Sequence, residues 1–166
     1  MERFTSYESF IAFCQKHQVP HRFDNAHHLV ELPNTATPLP STTVVKFDKQ
    51  LPLLTFVQFM ADNLPDDRIA DLEAAISRLN TVLEIGGFCI DYDLKRLLAR
   101  FSITLFPNEG ISAVAFQRTF ELVVGNARGV LPVLKKIIDG APGKDVVQIA
   151  REHVAAQNAA TPPTSS

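Results

Sequence analysis

Apolar and polar positions along the chain switch several times between a helical and an alternating rhythm, and each switch marks an element. Phe10, Phe13, Cys14 and His17 recur at helical spacing with Gln15 and Lys16 between them, which predicts a first helix stopped by Pro20. Thr5 and Glu8 fit a capping box at its start, each side chain satisfying a free backbone N–H of the first turn. His28–Leu32, Thr43–Phe47 and Leu53–Met60 are short and apolar or β-branched, and predict three strands. Between the first two of them, Pro33–Ser41 carries three prolines and reads as a surface connection. Leu53–Met60 is apolar at both alternating sets of positions. Such a strand is either central or meets another subunit with its second face.

Leu64-Pro65-Asp66-Asp67 opens a second helix, with proline in the first turn and two acids complementing the helix dipole. Ile69, Leu72, Ile76, Leu79 and Leu83 form the clearest amphipathic stripe of the chain, ended by Gly86-Gly87. The surest element follows, an antiparallel hairpin from Phe88 to Leu105. Phe88, Ile90 and Tyr92 share one face, and after a turn at Asp91–Lys95 the residues Ala99, Phe101, Ile103 and Leu105 alternate with Arg100, Ser102 and Thr104. Pro107-Asn108-Glu109-Gly110 predicts a loop and Ser112 the cap of a third helix with Phe116, Phe120, Val123 and Val124 inside. Gly125, Gly129 and Pro132 predict a break or kink, after which Val130–Ile138 resumes the helix as far as Gly140–Gly143. Asp145 and Gln148 would cap a weaker helix over Val146–Gln157, leaving 158–166 as a flexible tail to a single domain over 1–157.

The order is helix, three strands, helix, two strands, helix and an appended helix. Without sustained strand–helix alternation it predicts an α+β fold, an antiparallel sheet of about five strands with packed helices.

Composition narrows the function classes. The chain has 166 residues, 46 % hydrophobic and 20 % charged, which suits one soluble domain with a real core. Its net charge of −2 comes without a basic run, so the electrostatic footprint of a nucleic-acid binder is missing from the sequence. No apolar run approaches the ~20 residues that cross a bilayer, so no membrane partner is expected. The first residues lack the pattern of a secretory signal, and Cys14 and Cys89 form no disulfide framework. The expected location is the cytoplasm.

The helix ending in Leu79-Asn80, the strand Gly87-Phe88-Cys89-Ile90-Asp91, its partner Leu97–Leu105 and a helix containing Phe116-Gln117-Arg118-Thr119-Phe120 follow one another in a distinctive order. With the closing segment Leu131-Pro132 through Ile138-Asp139-Gly140, this stretch from Leu64 to Gly140 resembles the YbjN-like family, labelled as bacterial sensory transduction regulators. Those proteins share a fold with the type III secretion chaperones. The resemblance implies a chaperone-like or adaptor fold that often dimerises, and it brings no active site. Relatives carry glycine in the hairpin turn where this chain has Asp93-Leu94-Lys95.

Candidate chemistry is thin. His17, His21, Asp24, His27 and His28 carry metal-ligand side chains, but Pro20 and Phe23 interrupt their spacing and no paired-ligand motif accompanies them. No metal or cofactor is expected. Asp91 with Asp93 and Asp66 with Asp67 have local roles in a turn and a helix start. No nucleophile motif is present, and Gly125-Asn126-Ala127-Arg128-Gly129 follows a helix where a phosphate loop would follow a strand. A non-enzymatic protein-binding module, homodimeric and with a further protein partner, is the reading that remains. The alternative is a small-molecule-sensing regulatory domain. Phe56, Phe59 and Met60 are the expected contacts on the strand, with Leu72 and Ile76 at dimer or core positions. Whether helices or a second subunit cover those apolar faces is left open by the sequence.

Overall fold

The computed structural model describes residues 2–34, 39–40, 42–83, 87–106 and 109–160. In chain order the elements are β1 (Arg3–Phe4), α1 (Tyr7–Lys16), β2 (Arg22–Asp24), β3 (Leu29–Pro33), β4 (Thr42–Phe47), β5 (Leu53–Ala61), α2 (Ile69–Asn80), β6 (Gly87–Asp91), β7 (Arg96–Thr104), β8 (Ile111–Ser112), α3 (Ala113–Ile138) and α4 (Val146–Ala160). The α+β class and the antiparallel sheet are as the sequence predicts. The sheet has six strands in the order β2-β3-β4-β5-β7-β6, one more than expected, and β1 pairs separately with β8. The additional strand, β2, is three exposed residues in a polar stretch, too short and too wet to show a period.

Strands β2 to β5 run as a meander; the chain then passes through α2 to the far edge, forms β6, and returns as β7 into the place beside β5. Registration across the strands fixes the two faces. Val30, Val45, Phe56 and Phe101 stand in one row, and Leu32, Thr43, Gln58, Ala99 and Phe88 in another. Both rows belong to the face that the helices cover. Toward α1, Phe4, Phe10, Phe116 and Phe56 interlock, with ring centroids 4.7 Å apart for Phe10–Phe116 and 5.2 Å for Phe56–Phe116. Toward α2 and α4, Leu72, Leu79, Leu97, Leu131, Leu134 and Ile137 form a second cluster. Phe120 packs against both clusters.

Between the clusters lies a buried polar group. The amide of Gln58, with no exposed surface, accepts from the Thr43 hydroxyl at 2.6 Å and from Asn34 Nδ2 at 2.9 Å. Its Nε2 donates to the carbonyls of Phe59 at 2.7 Å and Pro40 at 3.2 Å. The described parts of the proline-rich connection, Asn34 and Leu39-Pro40, are therefore drawn onto the covered face, and Leu39 is buried. The positions 35–38 and 41 of that expected surface connection lie outside the described residues.

Local geometry refines several boundaries. Ser6, not Thr5, caps α1, in a capping box with Ser9. Ser112 caps α3 as expected, its hydroxyl accepting from the Ala115 N–H at 3.1 Å. The break expected at Gly125–Gly129 is not present: α3 runs through it as one helix of 26 residues. Val123, Val124, Ala127 and Leu131 are buried while both glycines face outward. Burying that stripe outweighs the ~1 kcal/mol that each glycine costs in a helix. The hairpin turn without glycine is accommodated by Lys95, which takes φ +49°. The Asp91 carboxylate accepts from the Leu94 N–H at 3.0 Å and shapes the same turn. Helix α2 ends at Asn80, before the expected Gly86-Gly87 stop, of which Gly86 lies outside the described residues. The Pro107-Asn108 part of the predicted loop and the tail from 161 onward also lie outside them, and α4 continues to Ala160.

The start of α2 is tied to the end of α3. Arg68 donates to the carbonyls of Ile137 and Ala141 and pairs with Asp71 at 3.1 Å, and Asp71 accepts the Gly143 N–H at 2.9 Å. A Cβ on Gly143 would stand 1.8 Å from the Asp71 carbonyl oxygen, so this close approach requires glycine. Gly143→Ala is expected to lower unfolding free energy by about 2 kcal/mol or more, through overpacking against backbone, read as a shifted urea midpoint.

Candidate functional site

Of the five residues named as partner contacts or as dimer or core positions, four are used by the chain itself. Phe56, Met60, Leu72 and Ile76 are 0 %, 3 %, 0 % and 7 % exposed, inside the core clusters. Phe56 and Met60 point to the face that the helices cover, and Leu72 and Ile76 are the inward stripe of α2. Phe59 points the other way, partly exposed, with the Arg96 guanidinium 5.4 Å from its ring centre. The surface open to a partner therefore lies at the sheet edges and on the face opposite the helices.

The two edges differ. At β6 the side-chain amide of Asn80 donates to the Phe88 carbonyl at 2.9 Å and accepts the Phe88 N–H at 2.8 Å. One asparagine thus makes both bonds that a neighbouring strand would make to Phe88, and hinders pairing at that point of the edge. At the opposite edge all three residues of β2 are exposed, Phe23 at 49 %.

Beside Phe23 runs an open groove of about 380 Å³ between α1 and the β2–β3 hairpin, floored by Tyr7, Ile11 and Ala12 and bordered by Glu8, Gln15, Asn25 and His28. Its walls are held in place: the Tyr7 ring stacks on His28 at 4.6 Å, and the Tyr7 hydroxyl donates to Asn25 Oδ1 at 2.9 Å. The hairpin turn is fixed by Asp24, which accepts from the Ala26 N–H at 2.8 Å and meets the His27 ring at 2.7 Å. That His27 contact, with the backbone donors, holds the Asp24 carboxyl below its usual range. The groove joins an apolar floor, one exposed aromatic ring and a free sheet edge, the parts needed to grip an extended peptide.

The histidines are dispersed. His17 meets Glu2 at 2.8 Å, His21 Nδ1 meets the Val19 carbonyl at 2.7 Å, His27 meets Asp24 and His28 stacks on Tyr7. Among the described residues no three His, Cys, Asp or Glu side chains are grouped to hold a metal ion. Asp66 pairs with Lys95 at 2.8 Å, a contact between the start of α2 and the β6–β7 turn. Burial pushes the Cys14 thiol up to about 11, and it also raises that of Cys89, which lies partly exposed on the face away from the helices. Among the described residues no helix is long and apolar enough to cross a membrane.

Phe23 and Asn80 carry these features, and neither stands out in sequence. Phe23 is a lone apolar residue in His21-Arg22-Phe23-Asp24, and Asn80 reads as the end of a helix.

Two outcomes follow from this geometry. In the folded monomer Cys89 should react with a maleimide before Cys14, which should label only on unfolding; mass spectrometry of tryptic peptides reads the order. Asn80→Ala should cost about 1 kcal/mol of stability, for two lost bonds to a partly wet edge. It should also raise concentration-dependent association of the freed edge, read by light scattering beside urea denaturation.

The chain matches no protein-family model and no curated protein. Its fold does match solved structures. Against the crystal structure of YbjN from E. coli the TM-score is 0.59 at 13 % identity, covering 78 % of this chain and 91 % of that one. Against a chain of the HopA1–SchA chaperone–effector complex it is 0.51 at 17 % identity, covering 74 % and 91 %. At such low identity the likeness speaks for architecture alone. The chain has the YbjN-like, chaperone-like α+β fold that its sequence resembles.

Proposed function

We propose that this chain is a non-enzymatic protein-binding module of chaperone or adaptor type, acting as a homodimer in the cytoplasm. It takes up an extended segment of a protein partner along β2, by main-chain pairing at the free edge and apolar side chains in the α1 groove. The observation that carries this reading is the asymmetry of the edges: the Phe88 backbone of β6 is occupied by Asn80, whereas β2 is open beside an exposed Phe23 and a groove with Tyr7, Ile11 and Ala12 on its floor. A fold neighbour taken from a chaperone–effector complex supports it as an analogy. The small-molecule-sensing alternative has less behind it. The apolar cavity lined by Leu83, Phe88 and Leu122 offers about 10 Å³, room for about one water.

Selection of a random linear peptide library on the immobilised protein tests the reading. Peptides with apolar residues at alternate positions are expected to be enriched. Their affinity, read by fluorescence polarisation, should fall about tenfold or more with Phe23→Ala, as for a central aromatic anchor. Leu51→Ala, at an exposed leucine away from the groove, should leave it unchanged. Failure to select binders, or binders indifferent to Phe23, overturns the capture site.

A further inference from the structure

The face of the sheet turned away from the helices carries a pattern of its own. Glu31 stands opposite Val44, Val44 opposite Val57, and Val57 opposite Arg100, so one row across β3, β4, β5 and β7 reads acid, valine, valine, base. Both charged side chains are exposed and both valines partly so. None of these residues belongs to either core cluster, and no helix covers them. Phe59, Leu98 and Cys89 extend the apolar strip on the same face.

Adjacent strands lie about 4.8 Å apart, so the acid and the base flank the valines at equal distances from a line midway between β4 and β5. Consider a two-fold axis parallel to that line, above the sheet. It lays a second copy face to face on the first, with Glu31 of each over Arg100 of the other and each Val44 over a Val57. Packed sheets sit about 10 Å apart, a gap that glutamate and arginine side chains reaching from opposite sides can close. We infer that the occupant of this face is a second copy of the chain, packed sheet to sheet about this axis.

Neighbouring rows agree with that operator. In the row of Leu29, Lys46, Thr55 and Ser102, lysine falls over threonine and leucine over serine, so no like charges meet. Arg22, beside Glu31 on β2, falls over Gly87, which brings no charge. The other in-plane two-fold, running across the strands, sets every strand against its own copy. It turns β7, with Arg96 and Arg100 on this face, toward the same strand of the second copy and matches no acid to either. An isologous contact needs a surface complementary to itself, and the first operator supplies one.

This inference rests on the homodimer reading and adds the face, the axis and the ion pairs. Sedimentation equilibrium of the full chain tests it, with circular dichroism confirming that each variant is folded. The wild-type protein is expected to be a dimer. Glu31→Arg and Arg100→Glu should each raise the dimer dissociation constant about 100-fold or more, since each sets two pairs of like charges face to face. Mixing the two single variants should restore a heterodimer, because both ion pairs then form, one with its native signs and the other with its signs exchanged. The double variant should dimerise as the wild type does. A wild-type dimer indifferent to both reversals, or reversals that dissociate it without complementing each other, overturns this face and axis alone. A wild-type monomer across the concentration range overturns the homodimer reading as well.

Discussion

A six-stranded sheet has two faces to bury, and this chain commits its helices to one of them. Alternation along β3, β4, β5 and β7 sends Val30, Val45, Phe56 and Phe101 to one side, where α1 and α3 lie over them. The odd-numbered side of β5, with Val57 and Phe59, gets no such cover. An antiparallel sheet tolerates one solvated face when that face is polar. Here it is mixed, with valine, leucine and phenylalanine among arginine, lysine and glutamate. The burial of Val30, Val45 and Phe56 and the partial exposure of Val44, Val57 and Phe59 are two results of one asymmetry.

The covered face is itself divided, and Gln58 divides it. A buried primary amide costs several kcal/mol unless its donors and acceptor are all met, and here Thr43, Asn34, Pro40 and Phe59 meet them. Satisfying that amide draws the β3–β4 connection onto the sheet and separates an aromatic cluster under α1 from an aliphatic one under α2 and α4. Only α3 is long enough to serve both. That explains why it stays continuous through two glycines and a proline, since a break there would release one cluster from the other.

The sequence showed most of the architecture. Periods of two and 3.6 residues located the hairpin after Phe88, the stripe of α2 and the cap at Ser112, because each of those elements has one dry and one wet side. It could not show which side of β5 was dry, because both of its alternating sets are apolar and the deciding partners come from distant strands. The expected strand contacts therefore included Phe56 and Met60, whose burial depends on tertiary cover, while Leu72 and Ile76 took the core alternative that the sequence left open. Phe23 and Asn80 escaped for a related reason. Each acts through a neighbour remote in the local pattern: β3 and α1 for the ring, the β6 backbone for the amide. Of the break or kink expected at Gly125 and Gly129 no break formed: a local penalty was weighed there without the long stripe that offsets it.

The amide of Asn80 has a consequence for how far such sheets can grow. A sheet with two live edges can add copies at both ends and run on as a filament. A sheet with one closed edge has a direction in which growth has already ended. Two copies that met at their remaining edges would each present a closed edge outward, and the ribbon would stop at two. A single side chain, bonded to one residue of the last strand, would make any such edge-to-edge assembly finite.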